Sequence, residues 1–275
     1  MRKLLNKLLV KFGLLIIKAP KFLSDKAPIF EAFPVELTEK VPVHEATGTP
    51  NNELFNIFAA DINVHKWHHY FNIYTKHFNT YRNRPIKMLE IGVFHGGSLR
   101  MWKNYFHPDS TIVGIDINKS CKDHEIADRN VFVRIGSQAD PGFLAEVNEE
   151  FGPFDIILDD GGHKTHQQNI SFWALFRPAL KDGGCYMVED TQTNFWATHV
   201  DSKDTFIDLS KQMIDMLYEP YFDRKETNFR HGNPNAIKQL NLSYLAANIA
   251  SIAFYDAIIV FDKKKRYLPK SENRS

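Results

Sequence analysis

The chain has 275 residues, enough for one large core or two modest ones, with 43% hydrophobic and 24% charged residues. A formal net charge of +1 supplies no bulk attraction to nucleic acid, and basic stripes with interleaved aromatics are absent beyond the extreme N-terminus. Cys121 and Cys185 do not make a disulfide framework or a zinc site, which fits a reducing, cytoplasmic compartment.

Residues 1–24 carry Arg2, Lys3, Lys7, Lys11, Lys18 and Lys21, with no acidic residue before Asp25. Their longest uncharged apolar stretch, Phe12 to Ile17, is too short for a signal peptide or a spanning helix. Lys3, Lys7 and Lys11 recur at i+4 with leucines opposite them, so a basic amphipathic helix is expected. Such a helix either lies on an anionic membrane surface or packs on the body of the protein or a second subunit. Pro20, Pro28, Pro34, Pro42 and Pro50 mark an irregular connector after it. Residues 1–50 therefore read as an extension and residues 51–275 as the main domain.

The main domain begins with helical spacing over Asn52–Ala60 and His65–Tyr81, the second through Trp67, Tyr70, Phe71, Tyr74 and Phe78. Strand and helix patterns then alternate. The predicted strands are Ile86–Ile91, Thr111–Ile115, Val131–Ile135, Phe154–Leu158 and Cys185–Val188. The predicted helices between them are Ser98–Tyr105, Pro141–Glu149 and Thr165–Leu180, with Lys181-Asp182-Gly183-Gly184 as a turn into the fifth strand. This rhythm predicts an α/β fold with a mostly parallel sheet covered by helices. Ile249–Phe254 and Ala257–Phe261 are joined too tightly for a crossover helix, so they form an antiparallel hairpin. Five β/α units closed by a hairpin are similar to the Rossmann-like, seven-stranded plan of the class I methyltransferases, which bind S-adenosylmethionine.

The end of the first strand, Glu90-Ile91-Gly92-Val93-Phe94-His95-Gly96-Gly97, is a glycine-rich turn with the spacing E-x-G-x-x-x-G. Glycine permits a sharp turn and close ligand approach, and the following helix offers free N–H groups. Phe94 breaks the dinucleotide fingerprint G-x-G-x-x-G. Glu90, Gly92, Val93, His95, Gly96 and Ser98 are the expected cofactor residues of this turn. Asp116, at the tip of the second strand, is placed to accept hydrogen bonds from ribose hydroxyls. Gly136, Ser137 and Gln138 follow the third strand where an adenine edge could lie, and Asp159 ends the fourth.

Two acidic pairs carry the remaining chemistry. Asp159-Asp160 is followed by Gly161-Gly162-His163, and Glu189-Asp190 ends the fifth strand. Asp160, Glu189 and Asp190 offer oxygen donors suited to magnesium, whereas zinc would want more histidine or cysteine. His163 is the candidate base; its competitor His166 sits within the next helix. Phe195 and Trp196, just past the metal strand, read equally well as sugar-stacking platforms or as core.

These segments resemble a known family. Leu89 to Leu99, Gly114-Ile115-Asp116-Ile117 and Ile135 to Asp140 are similar to the magnesium-dependent sugar O-methyltransferases of macrolide biosynthesis, to which cephalosporin hydroxylase-like proteins are related. Asp160-Gly161-Gly162-His163 resembles that family's Asp-Gly-Ser-His, and Glu189-Asp190-Thr191-Gln192-Thr193 its Glu-Asp-x-x-Thr. Ser251 to Asp256 resembles its penultimate strand, and His68, Tyr70 and Tyr74 its H-x-Y-x-x-x-Y pattern. The resemblance covers roughly residues 52 to 265. It implies magnesium on Asp160, Glu189 and Asp190, two sugar hydroxyls on that ion, His163 as base, S-adenosylmethionine as methyl donor and an oligomeric enzyme. Many relatives lie in polysaccharide clusters, so the particular substrate does not transfer, and the implied acceptor is a sugar hydroxyl in a glycan or a glycosylated natural product. The alternatives are a non-catalytic cofactor-binding scaffold of this fold or a methyltransferase with a non-sugar acceptor. A hydroxylase would need a two-histidine-one-carboxylate face, and a glycosyltransferase is disfavoured by the terminal hairpin.

Overall fold

The computed structural model describes residues 50–222 and 240–267, with 272 and 274. The basic helix and nearly all of the connector expected before residue 51 lie outside the described residues. Among the described residues, no helix is long and apolar enough to cross a membrane.

Among the described residues, two α-helices precede the sheet: α1 (Glu53–Ala60), whose Asn52 side chain caps the Phe55 N–H, and α2 (Tyr70–Phe78). Then follow β1 (Lys87–Ile91), α3 (Gly97–Tyr105), β2 (Thr111–Asp116), β3 (Val131–Ile135), α4 (Pro141–Phe151), β4 (Phe154–Asp159), α5 (Thr165–Leu175), β5 (Leu180–Val188) and α6 (Phe206–Tyr218). A short α7 (Tyr244–Asn248) leads into β6 (Ile249–Phe254) and β7 (Ile259–Lys263). The sheet order is β3-β2-β1-β4-β5-β7-β6. β1 to β5 run parallel; β7 is antiparallel to both β5 and β6.

Period-two alternation along the strands explains why helices cover both faces. Met88, Ile112, Ile156, Met187 and Val260 point into a core shared with α1, α2 and α3, where Tyr70, Phe71, Tyr74, Phe78 and Trp102 are buried. Their neighbours Leu89, Val113, Ile157, Tyr186 and Phe261 point into the opposite core, against Leu144, Phe172, Leu175 and Phe206.

Several element boundaries shift from the sequence expectation by one to three residues, and three shift by about five. The second helix begins at Tyr70, not His65, so residues 65–69 form a loop. The helix expected to run to Leu180 stops at Leu175, because Pro178 has no N–H for a further helical turn. Lys181 to Gly184 lie inside β5, not in a turn before it: Phe154 pairs with Leu180 and the ladder resumes at Ile156 with Cys185, leaving an irregularity between.

Candidate active site

Four backbone bonds lace the C-terminal tips of five strands into one rim. Asp116 O accepts from Gly136 N, Ile115 O from Gly92 N, Ile91 O from Asp160 N, and Asp159 O from Glu189 N, at 2.8–2.9 Å. Above this rim lies a cavity of about 580 Å³. Of the residues singled out in the sequence, Gly92, Val93, His95, Ser98, Asp116, Gly136, Ser137, Gln138, Asp160, His163, Glu189 and Asp190 all line it.

The glycine turn is required by close approach. Gly92 has φ +97°, and a Cβ there would lie 2.1 Å from the Asp160 carbonyl oxygen. Gly96, in the left-handed conformation at the N-terminus of α3, abuts the His124 ring instead of lining the cavity. Two carboxylates expected at the cofactor are buried beneath the cavity. Glu90 accepts from Ser98 Oγ at 2.9 Å and Trp102 Nε1 at 3.1 Å, which braces the turn from below. Asp159 accepts from Ser171 Oγ at 2.5 Å and Gln138 Nε2 at 3.0 Å, and Gln138 Oε1 accepts from Gly162 N at 2.8 Å. Neither lines the cavity; both brace residues that do. Asp116 does line the cavity, yet its Oδ2 accepts from Val93 N and Phe94 N and its Oδ1 from Asn118 N. Burial works to raise its pKa, but those three N–H groups bring it below the usual carboxylate range.

At the other end of the cavity, His163 Nε2 lies 3.6 Å from Asp190 Oδ2 and 3.9 Å from Asp160 Oδ1. His163 and Asp190 both have left-handed backbones, φ +54° and +52°, a conformation uncommon outside glycine that Asp and His adopt more readily than most residues. Thr193 Oγ1 donates to the carbonyl oxygens of both, at 3.1 and 2.7 Å, and so ties their two loops together.

α2 grips the acidic pair from below. Tyr70 Oη donates to Asp190 Oδ1 and Tyr74 Oη to Glu189 Oε1, each at 2.6 Å. The two tyrosines lie one helical turn apart, so one helix face reaches both carboxylates. His68, from the same sequence pattern, instead packs edge-on against Phe55. Burial tends to raise the Asp190 pKa, but hydrogen bonds from Tyr70 and Gln192, then His163 and Lys66, hold it low.

Lys66 is the functional residue that sequence reasoning missed. Its ammonium donates to Asp160 Oδ2 at 2.5 Å and Glu189 Oε2 at 2.9 Å, and its side chain is buried. Desolvation disfavours that charge, yet Asp160, Glu189 and Glu90 together hold it protonated. The only signal was a lysine in a stretch otherwise rich in aromatics and histidines, 65–71, and the helix assumed there hid its orientation.

The donor set fits a hard divalent cation in part. Asp160, His163 and Asp190 each place one donor atom within 4.8 Å of the others. Glu189, expected as the third carboxylate ligand, has its two oxygens turned to Tyr74 and Lys66. Oxygen donors from Asp160 and Asp190, with room for solvent or substrate, suit magnesium. Phe195 and Trp196 are half-exposed and do not line the cavity, so they are neither core nor walls of this site. His166 Nδ1 lies 2.7 Å from Asp201 Oδ2 on the surface, consistent with a packing role.

The sheet order, the terminal hairpin and a cavity over the parallel strand tips define a class I methyltransferase fold. No family model matches the sequence. Among curated proteins, the chain is homologous to sugar O-methyltransferases. It is 40% identical over 157 residues to demethylmacrocin O-methyltransferase of Streptomyces fradiae, covering 52% of this chain and 38% of that protein. To mycinamicin VI 2''-O-methyltransferase of Micromonospora griseorubida it is 38% identical over 157 residues, with the same two shares, 52% and 38%. To a tetracenomycin 3'-O-methyltransferase of Streptomyces olivaceus it is 38% identical over 165 residues, 55% of this chain and 41% of that protein. The match thus spans well under half the length of these relatives. Among solved structures, the MycE methyltransferase of the mycinamycin pathway, in complex with Mg and SAH, superposes with a TM-score of 0.65 at 29% identity. That alignment covers 79% of this chain and 55% of MycE.

Proposed function

We propose that this chain is an S-adenosylmethionine- and magnesium-dependent O-methyltransferase acting on a hydroxyl of a sugar, in a glycan or a glycosylated natural product. The observation that carries the proposal is His163 Nε2 lying between Asp160 and Asp190, on the same cavity as the Gly92 turn and Asp116. In this reading the methyl donor lies over Gly92, Val93, His95 and Ser98, its ribose reaches Asp116, and its base reaches Gly136, Ser137 and Gln138. Glu90, Gly96 and Asp159 shape that binding site from behind. Asp160 and Asp190 hold the metal ion, and Glu189 keeps Lys66 and Tyr74 in place beside them.

What magnesium supplies is a lowered pKa and a fixed orientation for neighbouring hydroxyls of the acceptor. His163 takes the hydroxyl proton at Nε2 as the C–O bond forms and the donor's carbon–sulfur bond breaks. The protonated ring then faces two carboxylates at 3.6 and 3.9 Å, which stabilise its charge. Holding both reactants over one rim removes the entropic cost of bringing them together, and that accounts for most of the acceleration.

Titration with S-adenosylmethionine, with and without Mg²⁺, together with labelled-methyl transfer to a panel of deoxysugar glycosides, tests the proposal. His163→Ala is expected to abolish transfer and leave donor binding intact. Undiminished transfer in that variant removes the base assignment, and no donor binding in the wild type removes the whole reading.

A further inference from the structure

On the sheet face covered by α2, away from the cavity, three chemically different ligands meet. Cys185 of β5 and Asp262 of β7 are direct partners in the antiparallel ladder, so their side chains leave the sheet on the same side. His77, in the last turn of α2, reaches down to them. One donor atom from each lies within 4.8 Å of the other two.

We propose that His77, Cys185 and Asp262 form a second metal site, for a zinc-class divalent cation, that pins α2 to the β5–β7 edge. The orientations support it. His77 Nε2 is 2.9 Å from Tyr255 Oη, and Asp262 Oδ2 accepts from Ser251 Oγ at 2.5 Å. Each outer partner fixes one atom of its ligand and leaves the other, His77 Nδ1 and Asp262 Oδ1, facing inward, the usual outer-shell arrangement of metal ligands. Those inner atoms are 3.9 Å apart, too far for a hydrogen bond. Two ligands on one tetrahedral zinc stand about 3.4 Å apart, so a cation would need to draw them together by only about half an ångström.

The ligand chemistry selects the ion. An imidazole, a thiolate and a carboxylate with one open position suit zinc, whereas magnesium refuses sulfur. Burial and the neighbouring Asp262 hold the Cys185 thiol protonated, so the incoming cation displaces that proton. Entry is from the solvent side, where the Asp262 side chain is 42% exposed.

The sequence argued against a zinc site at its two cysteines because these ligands are scattered over positions 77, 185 and 262, with no short Cys/His spacing. Its consequence reaches the acidic rim. His77 lies three residues beyond Tyr74 on α2, so a cation there steadies the helix whose tyrosines grip Glu189 and Asp190.

Co²⁺ titration of the full chain tests the site independently of any transfer activity. The expected result is a near-ultraviolet thiolate-to-cobalt charge-transfer band. It should be lost in Cys185→Ser, be weakened at least about tenfold in affinity in His77→Ala, and be kept in the Asp160→Asn/Asp190→Asn double variant. Zn²⁺ should raise the melting temperature of the wild type and of that double variant. Should Cys185→Ser fail to fold, Asp262→Asn, at the exposed rim, replaces it with the same expectation of weakened binding. Absence of the band, a band that survives Cys185→Ser through Cys121, or a band that vanishes in the double variant overturns the proposal.

Discussion

Lys66 Nζ stands 2.9 Å from Glu189 Oε2, with both side chains buried, so a loop before the sheet is tied to the tip of its fifth strand. Removing the ammonium leaves Glu189 facing Asp160 without an intervening cation. Breaking a buried pair from one side costs roughly 3 kcal/mol or more. Lys66→Met is therefore expected to lower the melting temperature clearly, and Mg²⁺ to restore more of the loss than it adds to the wild type. Thermal melts of both proteins across a Mg²⁺ series measure this; equal Mg²⁺ shifts would show that Lys66 and the metal do not share the carboxylates.

The two tyrosines of α2 separate stability from metal affinity. Tyr74→Phe strips a buried Glu189 oxygen of its donor, an expected loss of about 1–3 kcal/mol in denaturant unfolding. Tyr70→Phe acts on half-exposed Asp190 and should cost less stability while weakening Mg²⁺ binding several-fold. Calorimetric Mg²⁺ titration of the two variants distinguishes the roles; identical behaviour would contradict the division.

Glu90 makes stability depend on pH with a definite sign. Burial, its largest influence, pushes the carboxyl up to about 7 from an ordinary value of 4.5, against the opposing pull of Lys66. Between those values the folded chain holds a proton that the unfolded chain has released, so this group's contribution to stability falls as pH rises through the window. The full displacement corresponds to an upper bound on the order of 3 kcal/mol. Glu90→Gln, which keeps partners for Ser98 and Trp102, should flatten the decline in melting temperature from pH 4.5 to 7. Parallel curves for variant and wild type would assign that decline to other groups.

The parallel core was readable because its strands are short, continuous apolar runs whose alternation sends neighbours into opposite cores. Met88 and Leu89 divide in this way, as do Ile156 and Ile157. The position of the rim was readable because its acids end those runs, at the C-terminal edge of the parallel strands. What escaped were features set by tertiary contact. Lys66 acquires its role only once Asp160 and Glu189 are brought to it from 94 and 123 residues away. Glu90 and Asp159 sit at the expected strand ends, but their side chains turn beneath the turn and loop, toward Trp102 and Ser171. Strand position locates a side chain along the sheet; its neighbours decide whether it meets ligand or core.

The helical segment ahead of the sheet has a bearing on how this domain can be cut or recombined. Among the described residues every strand lies beyond residue 86, so a fragment starting there would retain that ladder and the Gly92 turn. It would also lose Lys66, Tyr70 and Tyr74, leaving the three acids without the buried ammonium and both phenols that hold them. The functional boundary of the module therefore falls upstream of its topological one, and grafts joined at the first strand would inherit the scaffold without the ion-handling end.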